Sequence, residues 1–395
     1  MSIPTPHGRT AALLCLASAA FLSVTTEMVP VGLLPSIGDA FGVPESLAGL
    51  LVSLYAVMVA ALAVPLTLAT RRFSRKPLLL TTLAGYAVSN GLVAVAPVFA
   101  VVAAGRTLGG LTHALFFSIL IGYTPRLVAG THVGRALAIV AGGASTGLVL
   151  GVPLSTSLGN ALGWRSPFMV LTAASLLTLA LVAWKLPAVG DDPADDVTGS
   201  TGHGALIAVS SANALVFLGQ FTLYTFISLV LLGSGVSQAL IGPILLVCGA
   251  CGLVGIWYAG RHLDRRPART VVVIYAVLVG AIVALGFSWP AAVAVAIAAA
   301  IWNGAFGAVP SIFQNAALRT RAVSPDLAGA WTNATANVGI AGGAALGAGI
   351  LNVAGLWLLP WVSAALIATS LLVMSLSHQL IGAKSDFGVR RRAPV

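Results

Sequence analysis

Charged side chains are scarce in this chain of 395 residues, of which they make up only 8%. A soluble globular domain carries roughly 25% charged residues. Hydrophobic residues make up 58% of the sequence. Such a composition leaves too little polar surface for an ordinary water-soluble fold, so it favours a chain that is solvated mainly by lipid.

Cysteine and lysine are also scarce, with three residues of each type. Cys248 and Cys251 have metal-like spacing, but no second pair or nearby histidine completes a site. Close helix packing is therefore the favoured interpretation, with a redox or metal role as the alternative. No Gly-x-x-x-x-Gly-Lys-Ser/Thr phosphate loop occurs, which argues against ATP-driven transport. We expect no metal and no cofactor.

Apolar runs of about 20 residues follow one another along the chain, and each can cross about 30 Å of hydrocarbon as a helix. Because the runs are continuous and do not alternate, they favour helices over a β-barrel. We predict an all-α membrane protein with twelve transmembrane helices. The predicted spans are 11–35, 46–69, 77–96, 98–123, 135–158, 166–185, 204–232, 239–260, 270–287, 290–317, 329–353 and 356–377.

A polar segment with four aspartates and two prolines separates the sixth span from the seventh. It divides the chain into two halves of six spans each. The predicted domains are an N-terminal six-helix bundle at 1–185, a cytoplasmic linker at 186–203, a C-terminal six-helix bundle at 204–378 and a basic tail at 379–395.

Basic residues segregate strongly on this map, since 18 of the 20 lysines and arginines fall on one side of the membrane. Arg165 falls on the other side and Arg106 falls inside a span. Cytoplasmic loops carry such an excess. The chain is therefore expected in the cell inner (plasma) membrane, with both termini and the linker on the cytoplasmic side. Orientation thus explains the net charge of +10 better than nucleic-acid binding.

The loops at 71–76 and 264–269 align about half a chain apart and indicate an internal repeat. Because each half contains an even number of spans, the halves are predicted to be parallel repeats with a substrate site between them near the membrane midplane.

Five motifs in the right order and on the right spans carry a resemblance to a known family. They are Thr26-Glu27-Met-Val-Pro30-Val-Gly32-Leu-Leu-Pro35, Arg106-Thr-Leu-Gly-Gly110-Leu-Thr-His113, Gly151-Val-Pro153 with Gly163-Trp164-Arg165, Gly255-Ile-Trp-Tyr-Ala-Gly260-Arg-His-Leu-Asp264-Arg265, and Asn337-Val-Gly339-Ile-Ala-Gly342-Gly343.

Over nearly its whole length the chain resembles the major facilitator superfamily, in particular the twelve-helix drug:proton antiporter branch with its bacterial sugar-efflux, nucleoside-efflux and chloramphenicol-resistance permeases. The resemblance implies two pseudo-symmetric six-helix bundles. It also implies export of a drug, sugar or nucleoside-like molecule by proton antiport through alternating access. Thr67 and Arg71 depart from the glycine and aspartate of the family's loop after the second span, which puts a gating role of that loop in doubt.

Ionisable groups inside the membrane are costly and are functional candidates by default. Away from their end residues, the predicted spans contain one acid, Glu27, one basic residue, Arg106, and one histidine, His113. A carboxyl group that alternates between charged and neutral forms can couple transport to protons, so Glu27 is the first candidate, as a site for a proton or for a cationic substrate. His113 is the second, in proton relay or in substrate binding. Arg106 is the expected charge partner of Glu27, in direct contact or through water. The alternative is that all three are structural.

Buried amides form a second set of candidates for the substrate cavity. Gln220 stands at the position in the second half that is equivalent to Glu27, and Tyr224 lies one turn further. The predicted cavity residues are Asn90, Gln220, Tyr224, Asn303, Gln314, Asn333 and Asn337. Amides also form hydrogen bonds between helices, which is the alternative role for each.

Two sets of candidates concern gating. Gly142, Gly151 and Pro153 permit close backbone approach and a bend in the fifth span, and simple tight packing is the alternative. Asp264 and Arg265 either fix a cytoplasmic loop or open and close as a gate.

Other functions fit less well. A proton-coupled or facilitative uptake permease is the main rival to an exporter, because no residue fixes direction. A channel would favour rings of charge or carbonyl filters, and an enzyme would favour paired titratable groups, so neither is expected. A non-transporting membrane sensor is the remaining alternative. The expected partners are a small-molecule substrate, protons and the lipid bilayer, for a monomer that binds no nucleic acid.

Overall fold

The computed structural model describes residues 6–70, 73–128, 133–187, 203–263, 265–323 and 325–385. This part of the chain contains twelve apolar helical segments long enough to cross a membrane, which confirms the predicted count. The helices are α1 Pro6–Phe41, α2 Glu45–Ala69, α3 Arg75–Ala94, α4 Phe99–Tyr123, α5 Val133–Thr146, α6 Val152–Leu162, α7 Ser166–Lys185, α8 His203–Tyr224, α9 Ile227–Gly233, α10 Gln238–His262, α11 Pro267–Ser288, α12 Ala292–Phe306, α13 Val309–Thr320, α14 Pro325–Val353 and α15 Leu359–Ser385.

Three of the twelve spans are interrupted. A π-helical turn at Gly147–Gly151 joins α5 to α6, directly before Pro153. The seventh span consists of α8 and α9, and the tenth of α12 and α13. Pro153 and Pro310 lie in the first turns of α6 and α13. Because proline has no N–H, each removes a hydrogen bond to the preceding turn, which explains two of the three interruptions.

The first helix is longer than its predicted span and runs to Phe41 with Pro30 and Pro35 in its interior. Prolines inside a helix leave the carbonyl four residues earlier without its usual donor. Because the helix ends at Phe41, the predicted end of the first span at residue 35 is wrong. The donors that replace the missing helical ones are described below.

The fifth span packs against α1 through glycines with little room between the backbones. A Cβ atom at Gly143 or Gly147 would meet the backbone of Ala17 or Phe21. At Gly142, by contrast, a Cβ atom meets nothing within 4 Å. The expected packing role of Gly142 is therefore wrong, because consecutive helical residues point in directions about 100° apart and Gly143 faces α1.

The two halves meet through α2 with α14 and through α6 with α10. We call the end of the bundle that contains the α1–α2 turn at 42–44 and the α9–α10 turn at 234–237 the distal end, since it lies opposite residues 6 and 385. Ser53 Oγ donates a hydrogen bond to the Ala341 carbonyl at 2.9 Å. Apolar residues of both halves share one buried cluster that includes Val31, Val52 and Phe226.

Packing between α8 and α14 yields a stability prediction. A Cβ atom at Gly343 would meet the Leu218 carbonyl oxygen and would lie 3.0 Å from the Thr222 nitrogen, whereas a Cβ atom at Gly349 meets nothing within 4 Å. Overpacking costs about 1–3 kcal/mol. Gly343→Ala should therefore lower the melting temperature of the purified protein in detergent, and Gly349→Ala should not. Equal melting temperatures for the two variants would contradict this packing.

Candidate functional site

A buried polar cluster lies inside the first half, where α1 to α4 each contribute to it. All seven of its residues are 7% exposed or less. Its members are Ser23, Glu27, Tyr55, Tyr86, Asn90, Arg106 and His113. The structure thus brings together the three ionisable residues that the sequence singled out, together with two tyrosines and a serine that it did not.

Arg106 binds backbone carbonyls. Its Nη1 donates to the Thr26 carbonyl at 2.5 Å, and its Nη2 donates to the Glu27 carbonyl at 2.6 Å. Its Nε donates to the Leu51 carbonyl at 3.4 Å. The guanidinium also lies over the Tyr55 ring, 4.3 Å from its centre. One side chain of α4 therefore joins α1 and α2 at this depth.

Pro30 explains why the Thr26 carbonyl is available. In an α-helix this carbonyl would accept a hydrogen bond from the N–H of residue 30. Proline has no N–H, so the carbonyl would be an unsatisfied acceptor in a buried position. Arg106 supplies the missing donor, so the Thr26 carbonyl keeps a hydrogen-bond partner where α1 continues through the proline.

The expected direct ion pair between Arg106 and the Glu27 carboxylate does not form in the described part of the chain, and the expected contact through water stays a prediction. Arg106 reaches the backbone of Glu27 and not its carboxylate. The cation-forming group within ion-pair distance of this carboxylate, among the described residues, is His113, with Nδ1 at 3.8 Å from Oε2. The other oxygen, Oε1, has no hydrogen-bond partner among those residues. The physical reason is that backbone carbonyls of α1 compete with the carboxylate for the guanidinium and accept its Nη1 and Nη2 hydrogen bonds.

His113 connects the carboxylate to a group of hydroxyls. Its Nδ1 lies 3.0 Å from Tyr55 Oη and 3.2 Å from Ser23 Oγ. Ser23 Oγ lies in turn 2.5 Å from Tyr86 Oη. Either oxygen of the Ser23–Tyr86 pair can donate, and the ring nitrogen can donate or accept according to its tautomer. The arrangement can therefore pass a proton between neighbouring groups.

Asn90 has a contact typical of helix packing. Its Nδ2 donates to Thr26 Oγ1 at 3.0 Å and to the Tyr86 carbonyl at 3.0 Å, so the side chain connects α3 to α1. Its expected contact with a substrate stays a prediction.

The second half carries an aromatic cluster around Gln220. Gln220 Oε1 accepts a hydrogen bond from Trp302 Nε1 at 2.7 Å. The Tyr224 ring contacts the Trp302 ring edge to face, with centres 6.1 Å apart. The ring centres of Phe217 and Phe306 lie 5.3 Å apart, also edge to face. Sequence reasoning missed these partners, although the pairs 217/221 and 302/306 show aromatics at helical spacing.

The remaining predicted amides are less closely associated with this cluster. Asn303 donates to the Ala299 carbonyl of its own helix, and Asn337 donates to the Asn333 carbonyl one turn earlier. Gln314 is exposed. Asn213, which the sequence did not single out, is buried and donates from α8 to the Thr332 carbonyl of α14 at 2.8 Å.

The gating candidates lie at two different places. Gly151 faces Thr25 of α1, where a Cβ atom would meet the Thr25 side chain. The Pro153 carbonyl approaches Gly242 of α10, which belongs to the other half. Arg265 is exposed at the end of the eighth span. Asp264 lies outside the described residues.

Comparison with known proteins identifies the class of protein. Residues 16–330 match the family described as the Major Facilitator Superfamily. The chain is 33% identical to a chloramphenicol efflux pump of Mycobacterium tuberculosis, over 92% of this chain and 91% of that protein. It is 30% identical to a probable sugar efflux transporter of Mannheimia succiniciproducens, over 91% and 92%. It is 32% identical to a Pseudomonas aeruginosa protein named transcription regulatory protein OpdE, over 74% and 75%.

Solved structures show the same fold. A bacterial homologue of the human lysosomal transporter Spinster, in an inward-facing and unoccupied conformation, aligns with a TM-score of 0.70 and 15% identity over 99% of this chain and 100% of that one. The human organic anion transporter MFSD10 aligns with a TM-score of 0.67 and 18% identity over 94% and 100%.

The chain is therefore a polytopic membrane transporter with the major facilitator fold, and it belongs to the Major Facilitator Superfamily. Within that class it is a transporter of small molecules, similar over nearly its whole length to bacterial efflux pumps.

The pairing of Arg106 with a carbonyl freed by Pro30 is testable by a double substitution. Arg106→Leu leaves the buried Thr26 carbonyl without a donor, which costs about 1–3 kcal/mol. Adding Pro30→Ala restores a helical N–H for that carbonyl and should recover part of the loss. Thermal unfolding of purified variants measures both effects.

Pro35→Ala is the matched control, because it restores a donor to the Val31 carbonyl and not to Thr26. It should not rescue Arg106→Leu. Equal rescue by both alanines would mean that straightening of α1, and not the Thr26 hydrogen bond, determines stability.

Proposed function

We propose that this transporter exports a small organic molecule by proton antiport through alternating access, with Glu27 as the proton-binding group. One observation carries the proposal: the Glu27 side chain is only 9% exposed, and one of its carboxyl oxygens has no partner among the described residues. A carboxylate in such a place is costly unless a cation or a donor reaches it. Proton binding removes that cost.

The position of Arg106 supports this role for Glu27. Because the guanidinium is bound to backbone carbonyls, it stays in place whether Glu27 is charged or neutral. It contributes a fixed positive charge near the carboxyl without direct contact. Proton binding and release at Glu27 can therefore occur without breaking the hydrogen bonds that join α1 to α4.

His113 is the second proton site in this proposal. Its Nδ1 atom faces the Glu27 carboxyl at 3.8 Å and lies within hydrogen-bond distance of the hydroxyls of Tyr55 and Ser23. A proton that leaves Glu27 has His113 as its nearest titratable neighbour, and Tyr86 extends the group further into the first half. The alternative is that His113 remains neutral and fixes the hydroxyls.

The substrate is proposed to contact the second half through the aromatic cluster of Phe217, Phe221, Tyr224, Trp302 and Phe306. Aromatic side chains offer large apolar surfaces with a polar edge, and the Gln220 amide adds a hydrogen-bonding group among them. A small molecule with an apolar ring and polar substituents fits this chemistry. Relatives named for chloramphenicol and for sugars supply the first compounds to test. Asn303, Gln314, Asn333 and Asn337 are proposed as further cavity residues.

Membrane orientation and assembly belong to the same proposal. The excess of lysine and arginine on one side supports an inner-membrane protein with both termini and the linker on the cytoplasmic side. We propose two six-helix domains, a monomeric transporter and no chemical reaction on the substrate. Asp264 and Arg265 are proposed to fix the cytoplasmic loop after the eighth span.

Replacement of Glu27 tests proton coupling. Glu27→Gln keeps the size of the side chain and removes its proton exchange. In proteoliposomes, proton-gradient-driven transport of chloramphenicol should fall at least about tenfold, the effect of roughly 1.4 kcal/mol. Exchange of substrate across the membrane without a gradient should persist, because binding and alternation do not need the proton.

Glu45→Gln, the same change at the start of α2, is the matched control and should leave gradient-driven transport intact. Full gradient-driven transport in Glu27→Gln would show that the proton binds elsewhere. Absence of transport of every compound tested by the unaltered protein would favour the sensor alternative.

Vesicle orientation tests the direction of transport. Inverted membrane vesicles with an acidic interior should accumulate labelled chloramphenicol, because proton exit then drives substrate entry into the lumen. A protonophore should abolish the accumulation, and ATP should not replace the gradient. Accumulation confined to right-side-out vesicles with an acidic exterior would instead establish an uptake permease.

A further inference from the structure

The first helix contains two carbonyls that its own backbone does not satisfy. Pro30 removes the helical donor for Thr26, and Pro35 removes the helical donor for Val31, because each lies four residues further along α1. The Thr26 carbonyl accepts its hydrogen bond from Arg106, which belongs to the same half of the protein.

The second carbonyl accepts its hydrogen bond from the other half. Ser228 Oγ of α9 donates to the Val31 carbonyl at 3.0 Å. Ser228 and Val31 are both 0% exposed. In this closed arrangement, water therefore has no access to the carbonyl if the serine hydroxyl is removed.

Other contacts at the distal end differ in kind from this one. Gln238 donates from α10 to Ser36 Oγ at 3.1 Å, but that contact is exposed, and water can replace it. Phe226 lies against Gly49, where a Cβ atom would be 2.5 Å from the ring, and this contact is apolar. The Ser228–Val31 bond is both polar and buried. Ser53 Oγ also joins the halves through a buried hydrogen bond, but its acceptor, the Ala341 carbonyl, lies inside α14 four residues before an alanine that has its own N–H.

We propose that Ser228 is a positioning residue for the transport cycle, because it completes the hydrogen bonding of α1 only while the distal end is closed. When the halves separate there, water can reach the Val31 carbonyl. The hydroxyl therefore favours the closed arrangement selectively. This inference rests on the alternating access of the proposed function. It adds a residue that satisfies a backbone carbonyl in one of the two states.

Distances across the distal end test the inference without any transport assay. Leu162 at the end of α6 and Val353 at the end of α14 are 73% and 91% exposed there. Spin labels at these two positions, after replacement of the three native cysteines, report the separation of the halves by double electron–electron resonance in nanodiscs.

Ser228→Ala should raise the ratio of open to closed distal ends by about tenfold, because it leaves a buried acceptor unsatisfied only in the closed state. Pro35→Ala returns a helical donor to the Val31 carbonyl. In the Pro35→Ala background, Ser228→Ala should therefore change the ratio by less than about twofold. Ser228→Cys, with its weaker donor, should give an intermediate shift and serves if the alanine variant does not fold.

Pro30→Ala is the control, because it returns a helical donor to the Thr26 carbonyl, which binds Arg106, and not to the Val31 carbonyl. The full shift of Ser228→Ala should persist in the Pro30→Ala background. An unchanged distance distribution in Ser228→Ala and Ser228→Cys would overturn the inference. So would equal suppression by Pro30→Ala and Pro35→Ala. Because no proton gradient is used, failure of proton coupling at Glu27 would leave this result intact, and the two failures are distinguishable.

Discussion

Satisfaction of backbone carbonyls away from water is the constraint on which the rest of this structure depends. Pro30 and Pro35 each free one carbonyl of α1, and an unsatisfied carbonyl in a lipid-surrounded interior costs several kcal/mol. Both donors come from side chains of other helices, Arg106 and Ser228. The same helix is thereby joined to its own half at one carbonyl and to the other half at the next. Glu27 lies on the stretch of helix between these two connections.

This use of Arg106 explains the chemistry around Glu27. A guanidinium that paired with the carboxylate would hold it in the charged form by direct contact. Because the guanidinium is bound to carbonyls instead, the nearest group to the carboxylate is a histidine, which can itself be charged or neutral. The backbone requirement of α1 thus leaves the acid free for an exchangeable proton.

Hydropathy and motif order predicted the twelve spans, the family and the placement of Glu27, Arg106 and His113 inside spans, because these depend on single residues and their spacing. They could not predict helix rotation or distances between helices. The choice between Gly142 and Gly143 depends on the rotation of α5 against α1. The partner of Arg106 depends on a competition between carbonyls and a carboxylate that appears only after α1 and α4 are packed. The role of Ser228 depends on its packing against the Val31 carbonyl, which Pro35 leaves without a helical donor, and the sequence does not show that contact.

The two halves differ in chemistry at equivalent positions. Where the first half has Glu27 among histidine, tyrosine and serine, the second has Gln220 bound to an indole N–H among aromatic rings. A neutral amide cannot take up a proton near neutral pH, and the carboxyl group at the equivalent position belongs to the first half. In the proposed function, coupling between a proton in one half and a substrate held by the other acts through helices that contact both. The first helix meets this requirement, because it carries Glu27 on one turn and accepts the hydrogen bond of Ser228 on the next.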